Sequence, residues 1–202
     1  MNNQNLTKRQ IKALETKNKL YHSARTLFAE KGFYNVSVDE IVKLAGTSKG
    51  SFYTYYKSKE HVIIEHYKQF DDFYLKFYEE MDQTKASAEN IMDFAVSLFT
   101  YVKEEIGFEM TYVVYDTQLR HKNEMTFIKD SERPLYQVLD KIIKKGMENG
   151  ELRTDIPCED LVLLTCRTFR GVFYDWCLYK QTLDLVEMGT LNFKVFIDGI
   201  RK

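Results

Sequence analysis

Two helix start signals, separated by one glycine, limit the fold of this chain more than any other feature of its sequence. Ser37 can cap a first helix, and Glu40, three residues later, completes a capping box. Gly46 can end that helix after about two turns, because glycine readily adopts positive φ. Thr47 or Ser48 can then cap a second short helix. This spacing predicts two short helices joined by a tight turn, which is a helix-turn-helix.

The second of these helices carries side chains suited to a DNA major groove. In a helix-turn-helix the second helix can enter the groove while the first spans the backbone. Gly50 would permit close approach to the duplex, although glycine inside an ordinary helix costs about 1 kcal/mol. Phe52 and Tyr56 are expected to pack inward. The alternative to a DNA-binding helix-turn-helix is a tight turn followed by an aromatic helix of the core. The polar side chains that can reach bases or phosphates are Lys49, Ser51, Tyr53, Thr54 and Lys59.

Charge is distributed unevenly along the chain. Residues 1–60 contain 11 Lys and Arg against 5 Asp and Glu, whereas residues 61–202 contain 18 against 25. The net charge of −1 hides this asymmetry. A basic first third joined to an acidic remainder favours a polyanionic partner for the N-terminal part, with chance clustering of surface charges as the alternative.

The composition predicts a mostly helical protein. The 202 residues include only 9 Gly and 2 Pro, and 44% of them are hydrophobic, so the chain can bury a substantial core. Neither a membrane span of about 18 apolar residues nor a secretory signal is recognisable, so we expect a cytoplasmic protein without a membrane partner. Cys158, Cys166 and Cys177 are too few and too widely spaced for a disulfide framework or a zinc site, and reduced thiols are expected.

Apolar spacing predicts the remaining helices. A first helix carries one stripe of Leu20, Ala24, Leu27 and Phe28, ends at Gly32, and begins near either Thr7 or Thr16. Ser58 can cap a long helix that would join the N-terminal module to the rest of the chain. Further helices are predicted at about Ala88–Glu105, Phe108–Arg120, Glu132–Asn149, Glu159–Lys180 and Asp184–Ile200.

The run from Ala24 to Lys59 closely resembles the signature of TetR/AcrR-type transcriptional regulators. The matching positions are Leu27-Phe28, Gly32-Phe33, Ile41, Ala45-Gly46, Ser48-Lys49-Gly50-Ser51, Tyr53 and Ser58-Lys59-Glu60. Ser37 stands where that family usually has Thr, Thr47 where it favours an aliphatic residue, and Tyr56 where it favours Phe. The resemblance covers residues 24–59, and the family varies beyond that point.

This resemblance implies an all-α fold with two domains. Residues 1–58 would form a three-helix DNA-binding module, and residues 59–202 a larger helical domain for effector binding and dimerisation. Double-stranded DNA would be the partner of a homodimer that regulates transcription without a cofactor. Ser37, Tyr53 and Lys59 would contact phosphates, and Thr54 and Tyr55 would set sequence preference. The full DNA-facing set is Ser37, Thr47, Ser48, Lys49, Gly50, Ser51, Tyr53, Thr54, Tyr55 and Lys59.

The last two helices are predicted to form the dimer. The segment from Leu161 to Tyr179 has apolar residues on nearly every face, more than the core of one chain needs. It also loosely resembles the dimer-forming penultimate helix of the family. Aromatic side chains are frequent anchors of interfaces. The interface residues expected on this basis are Arg170, Phe173, Trp176, Phe193 and Phe196, and a helix buried within one chain is the alternative.

Aromatic residues are abundant in the second part of the chain. Residues 61–202 hold 21 of the 29 aromatic residues. They could line a cavity for an apolar or aromatic effector, or they could form an ordinary core. Two hypotheses follow: a repressor released by a small effector, and a DNA-bound scaffold that recruits a protein without one. The residues expected to bind an effector are Phe73, Phe77, Phe99, Tyr112 and Tyr115.

No pattern in the sequence supports catalysis. His22, His61, His66 and His121 never fall at the spacing of a helical zinc site, so no metal is expected. Pairs of acidic residues are more typical of a solvated helix face than of paired catalytic carboxylates. The sequence also lacks a phosphate-binding glycine loop and a nucleophile elbow, and we expect neither an enzyme nor catalytic residues.

Overall fold

The computed structural model describes residues 7–67, 69–120, 131–180 and 182–202. These residues form ten α-helices, which confirms the all-α expectation. The helices are α1 Lys8–Lys31, α2 Val38–Ala45, α3 Lys49–Tyr55, α4 Lys59–Tyr67, α5 Gln69–Glu80, α6 Ser87–Tyr101, α7 Phe108–Arg120, α8 Pro134–Glu148, α9 Cys158–Leu178 and α10 Leu185–Ile200. Contacts between Cα atoms divide the chain into two units, Met1–His66 and Tyr67–Lys202.

The first unit is built around the C-terminal half of α1. This helix starts after Thr7, whose side chain accepts a hydrogen bond from the backbone of Gln10 while the Gln10 side chain accepts one from Thr7. The structure thereby decides between the two starts that the sequence allowed. The predicted stripe of apolar residues on α1 is buried, and it packs with apolar residues of α2 and α3. The buried members are Leu20, Ala24, Leu27, Phe28, Ile41, Val42 and Phe52.

The segment predicted as one long helix after Ser58 is helical in α4 and in α5. Lys68, between them, lies outside the described residues. The later helices lie within a few residues of their predicted positions, and α6 continues into one π-helical turn, Val102–Ile106. Residues 121–130, which lie between the predicted helices Phe108–Arg120 and Glu132–Asn149, also lie outside the described residues, and His121 is among them.

Aromatic rings form the centre of the second unit, where α6 packs against α8 and α10, and α9 packs against α8 and α10. The ring centroid of Phe169 on α9 lies 5.8 Å from that of Phe94 and 5.6 Å from that of Phe99, both on α6. The ring of Phe193 on α10 lies 4.2 Å from the ring of Phe169. These helices are therefore joined through one continuous aromatic cluster.

Within the described residues, no helix is both long enough and apolar enough to span a membrane.

Gly189 allows α10 to approach α6 closely. A Cβ atom at this position would lie 2.5 Å from two carbon atoms of the Phe99 ring, and that ring is fully buried. We expect Gly189→Ala to lower the free energy of unfolding by about 1–3 kcal/mol, the usual cost of overpacking a core. The matched control is Gly199→Ala on the same helix, where no atom lies within 4 Å of an added Cβ.

In the control, the free energy of unfolding should rise by about 0.5–1 kcal/mol, because alanine is more favourable than glycine inside a helix. Urea unfolding of both variants at one protein concentration measures the difference. Equal stabilities for the two variants would contradict the close packing of Gly189 against Phe99.

Candidate nucleic-acid interface

The two short helices form the helix-turn-helix that the cap signals predict. Ser37 caps α2, and its hydroxyl accepts a hydrogen bond from the backbone N–H of Glu40 at 3.3 Å. Gly46 ends α2 in the left-handed conformation, with φ 64° and ψ 37°. Ser48 then caps α3 by accepting a hydrogen bond from the backbone N–H of Ser51 at 3.2 Å. One residue, Thr47, thus separates Gly46, the C-cap of α2, from Ser48, the N-cap of α3.

Buried apolar side chains fix how α3 is rotated about its axis. Phe52 is fully buried, and Tyr56, directly after α3, is 2% exposed. The hydroxyl of Tyr56 donates to the carbonyl of Lys17 on α1 at 3.3 Å. Both residues therefore pack inward, as the sequence indicates. Because they point into the unit, Tyr53 and Thr54 of α3 point outward and are exposed.

The predicted DNA-facing residues differ in their exposure. Six of the ten are exposed, namely Ser37, Ser48, Lys49, Gly50, Tyr53 and Thr54, and four are partly buried, namely Thr47, Ser51, Tyr55 and Lys59. The hydroxyl oxygen of Thr47 is buried within the turn and has no hydrogen-bond partner in the described structure. The arrangement presents a polar surface on one short helix and the turn before it.

Gly50 has no structural reason to be glycine. It lies inside α3 without a positive φ, and an added Cβ would come within 4 Å only of the Ser48 hydroxyl oxygen, at 3.8 Å. An alanine would fit there and would favour the helix. The surface around Gly50 is open, which suits the close approach of another molecule.

Lys49 has an ion-pair partner on the neighbouring helix. Its ammonium nitrogen lies 2.8 Å from a carboxylate oxygen of Asp39, and both side chains are more than half exposed, at 55% and 69%. A hydrogen bond from Lys49 to Asp39 and the attraction between their charges raise the pKa of Lys49. Exposed pairs of this kind are weak and are screened by salt, so a phosphate can compete for the ammonium.

Glu40 ties the start of α2 to the end of α1. Its carboxylate accepts hydrogen bonds from the Lys31 ammonium at 2.7 Å and from the backbone N–H and hydroxyl of Ser37, both at 2.9 Å. The bond from Lys31, followed by those from Ser37, lowers the pKa of Glu40 to about 2. The contribution of Glu40 to stability is therefore present above its ordinary pKa and is lost as the pH falls towards 2.

Lys59 is held against the loop that precedes α2. Its ammonium donates to the carbonyls of Phe33 at 2.8 Å and Val36 at 3.0 Å, and it lies 4.3 Å from the centre of the Phe33 ring. Two of its three N–H groups are used in this way, which leaves one for a phosphate. Lys59 therefore positions the residues directly before Ser37, a role that the sequence did not reveal.

The residues predicted to bind an effector do not together line the small cavity of the second unit. Phe73 stacks on Tyr101 at 4.5 Å, and Phe77 meets Phe94 at 5.0 Å. Phe99 is fully buried in the aromatic cluster. Tyr112 is 38% exposed and stacks on Phe108, whereas Tyr115 lines a small cavity in the second unit.

That cavity is small and lies between aromatic and cationic side chains. Its volume is about 40 Å³, close to the volume of one water molecule. Its lining combines apolar residues with two arginines: Tyr74, Leu98, Tyr115, Arg133, Leu135, Tyr136, Cys166, Phe169, Arg170 and Phe173. Arg133 forms an ion pair with Asp71 at 2.8 Å. This cavity is thus too small for an effector, and nothing in the sequence pointed to the two arginines beside it.

Three of the residues predicted for the dimer interface lie in the core of a single chain. Phe173, Trp176 and Phe193 are 6%, 4% and 0% exposed, and their surface is already used within the chain. Phe173 and Phe193 pack against Phe99, and Trp176 packs against Phe108. Arg170 and Phe196 are partly buried and keep some surface for a partner.

Other apolar side chains of α9 and α10 are exposed instead. Leu164 and Leu178 on α9 are 37% and 58% exposed, and Leu191 and Val195 on α10 are 66% and 67% exposed. Each pair lies on the side of its helix opposite the buried residues. We call these four residues the outer apolar face. The signal that could have located them in the sequence is the presence of apolar residues on the side of each helix away from the core.

Comparison with known proteins finds a family model that matches part of the chain and relatives that match most of it. A sequence model described as "Bacterial regulatory proteins, tetR family" matches residues 20–65. The chain is 24% identical over 180 residues to the fatty acid metabolism regulator protein of Bacillus subtilis, covering 88% of this chain and 92% of the relative. It is also 24% identical over 184 residues to the HTH-type transcriptional repressor KstR2 of Mycobacterium tuberculosis, covering 91% and 92%.

A solved structure shares the fold over most of the chain. The structure of the transcriptional regulator FadR from Bacillus subtilis in complex with stearoyl-CoA superimposes with a TM-score of 0.71 and 23% identity, covering 91% of this chain and 98% of that one. The match to residues 20–65 includes the whole of α2 and α3 with their caps. Residues 20–65 therefore match the TetR family of bacterial regulatory proteins, and most of the chain is similar in sequence to regulators such as KstR2.

Proposed function

We propose that this regulator is a repressor that binds a palindromic operator as a homodimer and leaves it when a small effector binds. The observation that carries the proposal is the geometry of α2 and α3. Buried Phe52 and Tyr56 hold α3 so that Gly50, Tyr53 and Thr54 form an open polar surface. KstR2 of Mycobacterium tuberculosis is described as a repressor, and this relative supports repression as the mode of regulation.

The proposed DNA contacts divide into two classes. Ser37, Tyr53 and Lys59 would bind phosphates, which fixes position on the duplex without reading sequence. Thr54 and Tyr55 would face base edges and set sequence preference. A two-fold dimer places its two recognition helices about 34–36 Å apart, so the operator would be roughly palindromic.

The proposed dimer uses the outer apolar face. Leu164, Leu178, Leu191 and Val195 expose large apolar surfaces on neighbouring helices. Burying apolar surface contributes about 25 cal/mol per Å² to the free energy of association. Exposed apolar patches therefore often mark interaction sites. The partly buried Phe196 and Arg170 would lie within or beside the same interface.

The proposed effector is predominantly apolar or aromatic. Rings of Phe73, Phe77 and Phe94 and the cavity beside Tyr115 provide the apolar surroundings. The solved FadR structure of Bacillus subtilis contains stearoyl-CoA, which makes an acyl-CoA thioester the first compound to test. Arg133 and Arg170 at the cavity would suit a polar or anionic part of such a molecule.

Effector binding would require the interior to open. Ligand pockets generally measure about 300–1,000 Å³, far more than the 40 Å³ of this cavity. A ligand that fits only an expanded form shifts the population towards that form, and it can do so only by its difference in affinity between the two. In this proposal the filled form binds the operator and the expanded form does not.

The small volume of the cavity beside Tyr115 also favours a second candidate function. A regulator with this fold could remain on DNA as a scaffold that recruits another protein, without a small effector. The exposed apolar residues on α9 and α10 could then contact that protein. Release of DNA by a compound that binds the second unit distinguishes the two functions, because a scaffold without an effector would not respond.

Gly50→Ala tests the DNA-reading role of α3 separately from its folding. We expect the free energy of unfolding to rise by about 0.5–1 kcal/mol, because alanine favours the helix and meets no steric conflict. Operator affinity should fall about tenfold or more, equivalent to about 1.4 kcal/mol, because the methyl group would stand between α3 and the duplex. Urea unfolding and fluorescence anisotropy of a labelled operator measure the two effects.

A stabilised variant that binds the operator as tightly as the native protein would contradict close approach of DNA to Gly50. An operator for this test can be selected from random duplexes with the native protein. Failure to select any sequence would count against the proposed function itself.

A further inference from the structure

The first three turns of α1 extend beyond the core of their unit. The buried side chains of α1 begin at Leu20, although the helix begins at Lys8. Ile11 and Leu14, the large apolar residues of this part, are 44% and 50% exposed. The capping box at Thr7 supports the helix start without any burial. We call residues 8–19 the basic extension. Its side chains do not contribute to the buried core of the unit.

The basic extension concentrates positive charge on an exposed surface. It carries five cations and one anion, namely Lys8, Arg9, Lys12, Lys17, Lys19 and Glu15. Lys8, Lys12 and Lys19 follow each other at spacings of four and seven residues, which places them along one face of the helix together with Glu15. Among the described residues, Lys8, Arg9, Lys12 and Lys19 form no ion pair.

Lys8 and Arg9 occupy an unfavourable position in the free protein. The first turn of a helix carries a partial positive charge, and it is stabilised by anions. The first turn of α1 contains no acidic residue, and it begins with Lys8 and Arg9. By contrast, α2 places Asp39 and Glu40 in its first turn. An external anion against the basic extension would remove this repulsion.

The basic extension is tied to the recognition helix. The Tyr56 hydroxyl, directly after α3, donates to the Lys17 carbonyl at 3.3 Å. The basic extension is therefore anchored at Lys17 against the end of α3, and it is about 18 Å long at 1.5 Å per residue. Consecutive phosphates on one DNA strand are about 3.4 Å apart along the axis, so this length corresponds to about five of them.

We propose that the basic extension is a second DNA contact, in which Lys8, Lys12 and Lys19 neutralise backbone phosphates flanking the base pairs read by α3. The inference rests on the proposed binding of an operator and adds a contact outside it. The contact is independent of sequence, because ammonium groups bind phosphates without reading bases. It also assigns a partner to a strongly basic surface that the core of the unit does not use.

The test compares two duplexes and two triple variants. One duplex ends at the operator, and the other extends it by several base pairs on each side. The triple variant K8A/K12A/K19A keeps helix-forming residues, and its matched control K144A/K194A/K202A removes three exposed lysines of the second unit. Anisotropy titrations over a series of salt concentrations give the slope of log K against log salt.

We expect the native protein and the control to bind the longer duplex more tightly and with a steeper slope. Each phosphate contact contributes about 0.9 to the slope, so loss of three cations from each subunit of a dimer should flatten it by about 5. The triple variant of the basic extension should bind both duplexes equally. Circular dichroism checks that it remains folded.

Specific binding by the native protein with equal affinity for both duplexes would overturn this inference and leave the proposed function intact. That comparison needs no variant, so it stands even where the triple variant does not fold. An unchanged slope in a folded triple variant would likewise assign the basic extension to a partner other than DNA. Absence of operator binding by the native protein would count against the proposed function instead.

Discussion

Replacing Leu191 and Val195 together by Asp is expected to give folded monomers that lose specific operator binding. Both side chains are about two-thirds exposed, at 66% and 67%, so the charges meet water in the free chain. Across a dimer interface the same charges would be buried without partners, which is strongly unfavourable. Linking two DNA-binding modules raises affinity by about 10²–10⁴, and the monomer should lose a factor in that range.

Sedimentation velocity at micromolar concentration and operator titration measure the two parts of this prediction. The matched control is Leu119→Asp on α7, because Leu119 is 71% exposed and lies outside α9 and α10. The control should remain dimeric and bind as the native protein does. A native protein that sediments as a monomer would overturn the prediction, and so would a dimeric double variant.

Aspartate at the buried positions should act differently. Phe173 and Trp176 are 6% and 4% exposed, and a charge there would lie inside the aromatic core of one chain. Burying an unpaired charge costs several kcal/mol or more, a large share of the about 5–15 kcal/mol that holds a domain folded. We therefore expect Phe173→Asp and Trp176→Asp to lose folded protein rather than to separate folded subunits, which circular dichroism would detect.

The largest expected effect is release of the operator by an effector. To convert a population that is 99:1 in favour of the operator-binding form into 1:99, the effector must bind the other form about 10⁴-fold more tightly. This difference in affinity corresponds to about 5.5 kcal/mol. Two pockets in a dimer could share this at about 2.7 kcal/mol each. Titration of the operator complex with stearoyl-CoA and with shorter acyl-CoA compounds, followed by anisotropy, measures the release.

Two buried cysteines on α9 provide a matched test of where the effector enters. Cys166 lines the small cavity, whereas Cys177 is buried on the same helix away from it. Burial raises the pKa of both thiols to about 12, so both remain neutral at ordinary pH. Cys166→Ala enlarges the cavity and should reduce the free energy needed to open it by about 1 kcal/mol. The effector concentration that releases the operator should therefore fall about fivefold.

Cys177→Ala should leave the releasing concentration unchanged, because the space it creates lies elsewhere. Equal effects of the two substitutions would place the effector outside this cavity. If no acyl-CoA, aromatic acid or lipophilic cation releases the operator or binds the second unit, the scaffold function becomes the better proposal.

The sequence by itself determined the helix-turn-helix and the residues it exposes. The caps at Ser37 and Ser48 and the helix stop at Gly46 act within four residues of their own positions. Such signals do not depend on the rest of the fold, because the hydrogen bonds they provide are local. The inward packing of Phe52 and Tyr56 follows from helical periodicity once these boundaries are known.

The start of α1 was also encoded locally, but two caps competed for it. Thr7 and Thr16 both precede helical sequence, and the structure has Thr7 as the cap while the Thr16 hydroxyl donates to the Lys12 carbonyl at 2.8 Å. A threonine inside a helix can satisfy its hydroxyl in this way, so residue type alone does not distinguish a cap from an interior position.

Only the tertiary structure decided which apolar residues of α9 and α10 are core and which are exposed. Because α9 has apolar side chains on nearly every face, no single apolar stripe indicates its inner side. Its large aromatic residues and those of α10 suggested an interface, although Trp176 and Phe193 fill the core. Gly189 likewise owes its importance to Phe99, 90 residues away in the sequence. Burial depends on neighbours brought together by folding, and a single helix contains no record of where those neighbours will lie.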